Sequence, residues 1–359
     1  MSKLNVAVLG ATGAVGQRFI QLLADHPWFR VAEVVASDRS AGKAYAEACR
    51  WILADQPPAD VAKLMVLPLD APITSPVALS ALPSDAAKTR ELELAAAGHV
   101  VCSNTSSHRM ADDVPILLPD INADHAGLID TQRRNRGWTT GALATMSNCT
   151  AVPVIVALAP LLKFGIEAVN VVSMQAISGA GYPGVASLDI FDNVVPYIGG
   201  EEEKLESEPR KILGTLTSGR IDWLDTTISA ACNRVPVIDS HLVCVSVRFT
   251  HKPTLDEMRA AWTDFRGHAA AQSLPSAPRP VIVYNDLNDR PQPRRDRDAG
   301  RGMTTTIGRL RPDPLFDAKF IALSHNTIRG AAGGAIFAAE LLLAQGYVQR
   351  AGIPESVRA

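Results

Sequence analysis

Apolar and polar positions along the first third of the chain follow two alternating spacings. Short apolar runs, typical of buried strands, alternate with segments such as residues 17–25, where apolar side chains recur at helical spacing. The apolar runs occupy residues 4–9, 31–36, 65–69, 77–80 and 100–103. Strands separated by helices form a parallel sheet that helices cover on both faces. We therefore predict an α/β fold that begins with a Rossmann-type, doubly wound parallel sheet.

The pattern changes after residue 148. A helix is predicted over residues 152–162, and longer alternating segments follow at residues 168–177, 242–249 and 281–284. Alternation of apolar and polar side chains is typical of a mixed or antiparallel sheet with one covered face. This part of the chain therefore predicts an α+β domain with a mixed sheet.

The end of the chain is expected to return to the first domain, because alanine-rich residues 330–343 predict a helix that packs there. The predicted boundaries are residues 1–148 with 325–359 for the first domain and residues 149–324 for the second. Residues 289–302 are rich in proline and charge and predict a solvated loop.

The charge balance excludes several classes of partner. The 359 residues carry a formal net charge of -2, so no overall positive field exists to hold nucleic acid or an anionic membrane. The longest apolar stretch, residues 151–162, is broken by Pro153 and Pro160 and is too short to cross a bilayer. The first ten residues are likewise too short for the apolar region of a signal peptide. We expect no nucleic acid and no membrane among the partners.

Cysteine usage predicts a reducing compartment. The five cysteines lack the CxxC spacing of zinc and disulfide-exchange sites. We therefore expect a cytoplasmic protein with no metal site and no disulfide framework.

A glycine turn stands at the junction of the first predicted strand and helix. It reads Gly10-Ala11-Thr12-Gly13-Ala14-Val15-Gly16, with GxxGxxG spacing. Such glycines let backbone N–H groups approach a pyrophosphate at a helix N-terminus. A glycine pattern alone is weak, but at the first turn of a βαβ unit it predicts dinucleotide binding.

The loop after the second predicted strand bears on the choice of dinucleotide. Ser37, Arg39, Ser40 and Lys43 offer two cations and two hydroxyl donors, the composition of a phosphate pocket. Asp38 is the acidic residue that would accept hydrogen bonds from the ribose of NAD and repel a 2′-phosphate. We predict that the cations prevail and that NADP is preferred; the alternative is that Arg39 and Lys43 only solvate a surface loop.

Cys149 is the candidate nucleophile. It lies just before a predicted helix whose first turn holds Pro153, and the positive end of that helix would lower the thiol pKa and favour the thiolate. The alternative is a buried structural cysteine. A dinucleotide domain that leads directly into this cysteine favours the catalytic interpretation.

His241 and Arg234 are candidate partners of this cysteine. His241 opens the strand at residues 242–249, in register with apolar Val243, Val245, Val247 and Phe249. A histidine on an apolar face is more often a hydrogen-bonded core residue, and an arginine such as Arg234 is more often on the surface than a carboxylate clamp.

With these residues in view, the sequence resembles the aspartate-semialdehyde dehydrogenase family, and its archaeal and fungal branch in particular, over the whole length. Two local departures are Thr150 after the cysteine and Ser240, where this branch often has glycine. The motifs that carry the resemblance are GATGAVG, RSAGK (39–43), SNTSSHRM (103–110), SNCT (147–150), QAISGAGYPG (175–184), GGEEEK (199–204), NRVPV (233–237), DRPQPRRDRDAGRGM (289–303) and SHNTIRGAAGG (324–334).

The resemblance implies the chemistry. It is the reversible, NADP-dependent, phosphorylating oxidation of aspartate 4-semialdehyde to 4-phosphoaspartate through a cysteine thioester, in lysine, threonine and methionine biosynthesis. Members of the family that this sequence resembles are commonly homodimers or homotetramers, so a homo-oligomer is the expected assembly.

The resemblance also implies site residues. Cys149 would attack the aldehyde, His241 would act as acid and base, and Gln175 would position the reacting group. The remaining implied contacts are Arg234 with the substrate carboxylate, Glu201 with its amino group, and Arg109 and Lys204 with phosphate; Glu202 or Glu203 could replace Glu201. For the cofactor the family implies Gly10, Thr12, Gly13, Ala14, Val15, Gly16, Ser37, Arg39, Ser40, Lys43, Ser178, Gly179 and Asn326.

Three other functions compete with this interpretation. An N-acetyl-γ-glutamyl-phosphate reductase shares the chemistry, but its substrate has no ammonium group to meet the carboxylates of residues 201–203. A malonyl-CoA reductase would not need the phosphate-binding pair Arg109 and Lys204. A nucleotide-binding regulatory protein without catalysis would be expected to lack the cysteine or the histidine, and both are present.

Overall fold

A computed structural model describes residues 3–349. The first sheet has six parallel strands in the order β3-β2-β1-β4-β5-β6. These strands are β1 (Leu4–Leu9), β2 (Phe29–Val35), β3 (Val66–Leu67), β4 (Val77–Ser80), β5 (Val100–Ser103) and β6 (Ala142–Thr145). The predicted doubly wound parallel sheet is confirmed, although β3 is shorter than the apolar run that predicted it.

Helices flank this sheet and begin with one directly after the glycine turn. They are α1 (Ala14–Leu23), α2 (Tyr45–Ala48), α3 (Ser84–Ala96), α4 (Pro119–Asn122) and α5 (Leu128–Arg136), with 3₁₀ turns at Val61–Lys63 and Ala123–Gly127. Helix α1 buries Phe19, Ile20 and Leu23 against the sheet because their three- and four-residue spacing places them on one face.

The second sheet is mixed, as the alternating segments predicted. Its order is β10-β7-β11-β14-β13-β12, with β7 parallel to β10 and antiparallel to β11. The remaining strands are β7 (Ile166–Gln175), β8 (Thr215–Thr217), β9 (Arg220–Asp222), β10 (Thr227–Arg234), β11 (His241–Phe249), β12 (Ile282–Asn285), β13 (Thr305–Pro312) and β14 (Ala318–Ser324); β8 and β9 form a separate hairpin.

The three longest helices of this part pack on the second sheet, and the first of them, residues 151–158, is buried along its whole length. They are α6 (Ala151–Leu158), α7 (Ser187–Ile190), α8 (Glu201–Ile212), α9 (Leu255–Thr263) and α10 (Pro293–Asp296), with 3₁₀ turns at Ala159–Phe164, Ile177–Ala180, Ala269–Ala271 and Ala299–Gly302. Trp262 of α9 is fully buried and donates its indole N–H to Ala157 O (2.8 Å).

The register of the strands brings three residues that are distant in the sequence to the same end of the second sheet. Gln175, the last residue of β7, pairs with Arg234, the last residue of β10. Strand β11 runs antiparallel to β7 and begins at His241, next to the Leu242–Met174 pair. Gln175, Arg234 and His241 therefore lie together although 66 residues of sequence separate the first from the last.

The chain crosses between the two sheets twice. After β6 it passes through Cys149 into α6, whose side chains belong to the core of the second sheet. After β14 it returns through a π-helical turn at Ile328–Ala332 into α11 (Gly333–Ala344), which is buried in the core of the first sheet. The predicted return of the last helix is thus confirmed. Residues 1, 2 and 350–359, which the sequence assigned to the first domain, lie outside the described residues.

The segment at residues 289–302 is more ordered than a solvated loop. It contains α10 and the 3₁₀ turn Ala299–Gly302, and Asp296 is buried. Asp296 accepts from Arg290 Nε (2.7 Å) and from Gln292 N (2.6 Å), which ties the segment to itself. The sequence-based interpretation missed this because the charges that suggested solvent exposure neutralise each other locally.

Candidate active site

The glycine turn joins β1 to α1 at the carboxyl edge of the first sheet. Gly10 N and Ala11 N both donate to Val35 O of the neighbouring strand (2.9 and 3.0 Å). Gly10 has φ +74, a left-handed conformation that favours glycine. No side chain caps the N-terminus of α1, so the first-turn N–H groups are available to an anion.

The predicted phosphate loop lies beside this turn, immediately after β2. Ser37, Asp38, Arg39 and Lys43 are exposed, and Lys43 Nζ donates to Arg39 O (3.1 Å). Because β2 is the direct neighbour of β1, a ligand bound at the glycine turn could extend over this loop.

A cleft of about 1000 Å³ connects the glycine turn to Cys149. Its length and its mixed polar and apolar lining suit a dinucleotide. Among the residues singled out in the sequence, its walls include Ala14, Val15, Arg109, Cys149, Ser178, Gly179, Glu201, Lys204 and Asn326. The structure therefore brings cofactor candidates from both halves of the chain to one cavity.

Cys149 is held in a tight turn before α6. Asn148 Oδ1 accepts from Thr150 N (2.8 Å) and Ala151 N (3.2 Å), which caps the first N–H groups of the helix. Gly330, in the π-helical turn, packs directly on the cysteine: a Cβ at this position would lie 2.8 Å from Cys149 Cβ. Only glycine fits there, so the turn that carries the nucleophile is clamped from two sides.

His241 contacts the cysteine directly, with Nε2 3.1 Å from Cys149 Sγ. The backbone N–H of Ala176 donates to His241 Nδ1 (3.0 Å). A neutral ring that accepts at Nδ1 carries its proton on Nε2, so His241 presents an N–H donor to the sulfur. The structure thus brings the predicted pair within hydrogen-bond reach and fixes the orientation of the ring.

The protonation state of this pair differs from the sequence-based expectation. Cys149 is partly accessible from the cleft, yet burial of its sulfur raises the pKa of the thiol to about 12, and Glu201 adds to this rise while Arg109 and Arg234 oppose it. Burial, and then Arg234 and His325, lower the pKa of His241 to about 3. The expectation of a lowered thiol pKa is wrong for this arrangement, because burial of the sulfur raises the pKa by more than the nearby cations lower it.

Arg234 and Gln175 lie beside His241 at the ends of their strands, and both are buried. Arg234 Nη1 donates to Ala176 O (2.8 Å), the residue whose N–H holds His241. Gln175 Nε2 donates to Ser173 Oγ (3.3 Å). The backbone of Ala176 therefore links the guanidinium and the imidazole.

Ser240, Asn326 and Ser178 form a second group beside the histidine. Ser240 adopts φ +84, a left-handed conformation that favours glycine. Its N–H donates to Asn326 Oδ1 (2.8 Å), and Asn326 Nδ2 donates to Ser178 Oγ (2.8 Å). The chain keeps a strained serine at this position and holds it with a side-chain hydrogen bond.

The three consecutive glutamates at the start of α8 have different surroundings. Glu201 lines the cleft and accepts from Asn148 Nδ2 (2.8 and 3.0 Å) and from Lys204 Nζ (3.0 Å). Glu202 instead accepts from Cys232 N (3.0 Å) on β10, and Glu203 is exposed. Of the three carboxylates, the one at Glu201 is directed at the cleft.

Arg109 reaches the same cleft from the loop after β5. It is only 6% exposed and donates from Nη1 to Glu208 Oε1 (2.9 Å) and from Nη2 to Asn104 O (2.8 Å). Its Nε is buried and has no hydrogen-bond partner among residues 3–349. A buried guanidinium with unused donors in a cleft wall suits an anion.

Several residues that organise the site were not singled out in the sequence. They are Asn148, Ala176, Glu208 and Gly330. Glu208 had a detectable signal, because Glu201, Lys204, Glu208 and Lys211 recur at three- and four-residue spacing and therefore share one face of a helix. The backbone roles of Ala176 and Gly330 depend on tertiary contacts, so no sequence signal marks these two residues.

Residues 3–349 contain neither a cluster of metal-binding side chains nor a membrane-spanning helix. No group of three or more histidine, cysteine or acidic side chains there could hold a metal ion. In the same part of the chain, no helix is both long enough and apolar enough to cross a membrane.

Two protein-family models match most of the chain. Residues 5–129 match the semialdehyde dehydrogenase NAD binding domain, and residues 158–329 match the semialdehyde dehydrogenase dimerisation domain. The first region holds strands β1 to β5 of the first sheet, and the second holds every strand of the second sheet.

Individual proteins show the same likeness. The chain is 48% identical to an aspartate-semialdehyde dehydrogenase of Archaeoglobus fulgidus, over 95% of this chain and 98% of that protein. It is 45% identical to one of Schizosaccharomyces pombe, over 97% of this chain and 100% of that protein. A crystal structure of aspartate semialdehyde dehydrogenase with NADP from Candida albicans superimposes with a TM-score of 0.89 at 39% identity, covering 97% of this chain and 100% of that one.

Proposed function

The chain belongs to the aspartate-semialdehyde dehydrogenase family, and we propose that it catalyses the reversible, NADP-dependent, phosphorylating oxidation of L-aspartate 4-semialdehyde to 4-phospho-L-aspartate. The observation that carries the proposal is the 3.1 Å contact between Cys149 Sγ and His241 Nε2 in a cleft that extends to the glycine turn. A thiol beside a dinucleotide site is what a thioester dehydrogenase needs. In reverse, the reaction would supply the semialdehyde for lysine, threonine and methionine biosynthesis.

Two charged side chains would hold the amino-acid end of the substrate, while Lys204, with Arg109, would bind phosphate. Arg234, at the end of β10, would bind the α-carboxylate, because its planar fork matches a carboxylate bidentately. Glu201 would meet the α-amino group, and the contact from Lys204 Nζ (3.0 Å) holds the carboxylate in place. With both ends of the amino acid bound, the aldehyde carbon would lie at Cys149, with Gln175 positioning its oxygen.

The reaction divides into two bond exchanges at the sulfur. Cys149 Sγ bonds to the aldehyde carbon as the C=O π bond opens and the thiol proton passes to the aldehyde oxygen, which gives a hemithioacetal. NADP, when bound in the cleft, would supply the acceptor for the hydride of that carbon; with the hydride gone and the hydroxyl proton released to solvent, the thioester remains. A phosphate oxygen then bonds to the thioester carbon, the S–C bond breaks, and the proton of the phosphate returns to the sulfur, which releases the acyl phosphate and restores the thiol.

His241 would exchange protons with the reacting oxygen. Its Nε2–H points at Cys149 Sγ, so it stabilises negative charge on the sulfur and on an oxygen bound to the same carbon. The Ala176 N–H keeps Nδ1 as an acceptor and so keeps Nε2 directed at these atoms.

The residues present fit NADP. The uncapped first turn of α1 would hold the pyrophosphate, with Gly10, Thr12, Gly13 and Gly16 allowing close approach. Ser178, Gly179 and Asn326 line the cleft near Cys149 and would border the nicotinamide. The exposed loop at residues 37–43 would receive the 2′-phosphate.

Arg39→Ala is expected to raise the KM for NADP at least about tenfold and to leave the KM for NAD within about threefold. The reason is that Arg39 would contact only the 2′-phosphate, which NAD lacks. Steady-state kinetics with both cofactors measure this asymmetry. Asp38→Ala is the matched control in the same loop. Similar kcat/KM values for NAD and NADP in the unmodified enzyme would show that Asp38 faces the ribose.

Arg109→Leu is expected to raise the KM for phosphate by about 10- to 100-fold and the KM for the semialdehyde by less than about threefold. The substitution removes a buried cation with unused donors from the anion site. Initial rates at varied phosphate, with arsenate as a second acceptor, measure the effect. Because the change also leaves Glu208 without its partner, thermal unfolding is compared alongside. An equal rise in both KM values would contradict a phosphate-specific role.

One assay separates this function from its rivals. NADPH formation is measured with aspartate semialdehyde, with and without phosphate, and with N-acetylglutamate semialdehyde; consumption of malonyl-CoA is measured with NADPH. We expect turnover only with aspartate semialdehyde and phosphate or arsenate. Activity that is independent of phosphate, or a preference for either rival substrate, would overturn the proposal.

The expected assembly is a homodimer or homotetramer. The dimerisation-domain match covers residues 158–329, and within that range residues 188–197 expose several large apolar side chains. These are Leu188 (94% exposed), Phe191 (66%), Val194 (52%) and Tyr197 (68%). A second copy of the chain would cover such a patch.

We also retain two predictions on organisation and compartment. The predicted domains are residues 1–148 with 325–359 for the cofactor and residues 149–324 for catalysis and dimerisation; the burial of α11 in the core of the first sheet and of α6 in the core of the second supports this division. A reducing cytoplasm suits a thiol nucleophile, and all five cysteines are free thiols.

A further inference from the structure

One carboxylate lies between the nucleophile and the anion site, and neither the substrate nor the cofactor contacts described above use it. Glu208 is on the cleft-facing side of α8, one turn beyond Lys204, and is 1% exposed. A carboxylate this deeply buried requires partners for both oxygens. Its partners come from two different parts of the chain.

The first oxygen holds Arg109. Glu208 Oε1 accepts from Arg109 Nη1 (2.9 Å), and both side chains are almost fully buried. The next turn of the same helix face holds the backbone of that residue, because Lys211 Nζ donates to Arg109 O (2.7 Å). Helix α8 therefore fixes Arg109 at both its main chain and its guanidinium.

The second oxygen holds the turn that carries the nucleophile. Glu208 Oε2 accepts from Asn148 N (2.5 Å) and from Ser147 Oγ (3.1 Å). Asn148 directly precedes Cys149 and caps α6 through its side chain. The position of the sulfur is therefore tied to the same carboxylate that orients the guanidinium.

We infer that Glu208 is a positioning residue that couples the thiol of Cys149 to the phosphate-binding guanidinium of Arg109. This inference rests on the proposed function. Phosphate must attack the carbon bound to Sγ, so the two groups need a fixed separation, and one shared carboxylate provides it. Glu208 also partly neutralises Arg109, which lowers the pKa of the Cys149 thiol more than Arg234 does.

Two substitutions at Glu208 separate the two contacts. In Glu208→Gln, the amide oxygen can still accept from Arg109, but the amide nitrogen faces Asn148 N–H, which loses its acceptor. We expect kcat to fall at least about tenfold with the phosphate KM within about threefold. Glu208→Ala removes both contacts, so kcat should fall and the phosphate KM should rise at least about fivefold.

Reactivity of the thiol provides a readout that a purely structural role would not move in this way. With the carboxylate neutralised, Arg109 acts on Cys149 with less compensation, so the rate of Cys149 carbamidomethylation by iodoacetamide at pH 8 should increase at least about threefold in Glu208→Gln. Turnover and alkylation would thus change in opposite directions. The rate is followed on the Cys149 peptide by mass spectrometry.

Matched controls use the same helix and the same turn. Glu203→Gln makes the same chemical change at an exposed position of α8 and should leave kcat, phosphate KM and alkylation unchanged. In an Arg109→Leu background, Glu208→Ala should still lower kcat but no longer change the phosphate KM. Ser147→Ala removes one hydrogen bond to Oε2 without changing charge and should lower kcat by about two- to fivefold.

The outcomes are decisive in each case. A Glu208→Gln enzyme that matches Glu203→Gln in kcat and alkylation would overturn the inference, as would a phosphate KM within twofold of the original in Glu208→Ala. If neither Glu208 variant folds, an unchanged kcat in Ser147→Ala overturns it. A wild-type enzyme without phosphate-dependent turnover would refute the proposed function alone, because alkylation is measured without substrate.

Discussion

Replacement of Cys149 by serine is expected to lower kcat by at least about 10³-fold while the affinity for NADP stays within about twofold. A hydroxyl is a far weaker nucleophile than a thiolate unless a base removes its proton. His241 is a poor base for this purpose, because burial lowers its pKa to about 3 and the hydrogen bond from Ala176 N–H to Nδ1 favours a proton on Nε2, the nitrogen that faces residue 149. The ring is therefore not expected to activate a serine at this position.

The measurement is steady-state NADPH formation, with NADP affinity determined separately by titration calorimetry. Cys244→Ser is the matched control, because Cys244 lies on β11 with only moderate burial and outside the cleft. Its kcat should stay within about twofold. A serine enzyme that kept more than about a tenth of the original kcat would rule out a thioester mechanism.

The second large effect is expected for His241→Asn, which should lower kcat by about 10²- to 10⁴-fold with smaller changes in substrate and cofactor KM. Asparagine is too short to reach both Ala176 N and Cys149 Sγ, so the donor to the sulfur and the orientation of the group are lost together. Initial rates over a range of both substrates measure the split between kcat and KM. A loss of less than about threefold would show that the ring is only a core residue.

The low pKa of His241 adds a pH dependence with a definite sign. Because the folded-state pKa is lowered to about 3, the ring is neutral throughout pH 6–8 and does not titrate there. The kcat/KM profiles of the original and His241→Asn enzymes should then have the same shape over that range, although their heights differ. A fall of kcat/KM below about pH 6.5 that disappears in the variant would contradict a neutral buried ring.

The stability of the fold should also depend on this histidine. The unfolded chain binds a proton at His241 more readily than the folded chain does, so the contribution of His241 to the free energy of unfolding falls as pH drops below about 6.5.

Local sequence predicted the parts of the fold that depend on local interactions. The strand-turn-helix unit at the glycine turn, the buried helix α6 and the returning helix α11 all follow from apolar spacing within one segment. The mixed character of the second sheet was also predictable from alternation. The order and register of its strands were not, and it is the register that places Gln175 beside Arg234.

The candidate site shows the same division. Cys149, His241 and Arg109 were named from motifs; Cys149 and Arg109 line the cleft, and the buried His241 contacts the sulfur of Cys149. The thiol pKa was predicted in the wrong direction because the burial of the sulfur, the largest cause of its raised pKa, depends on the packed structure. Glu208 was overlooked because its partners lie 60 to 99 positions away in the sequence.

The two crossings of the chain between the sheets have a mechanical consequence. Both pass beside the nucleophile, since Gly330 on the returning segment packs against Cys149 on the outgoing one. A side chain at position 330 would collide with the Cα and Cβ of Cys149, so the two crossings cannot change their relative position without changing the space around the sulfur. The nucleophile is therefore placed by the contact between two segments that are far apart in the sequence, and not by its own helix alone.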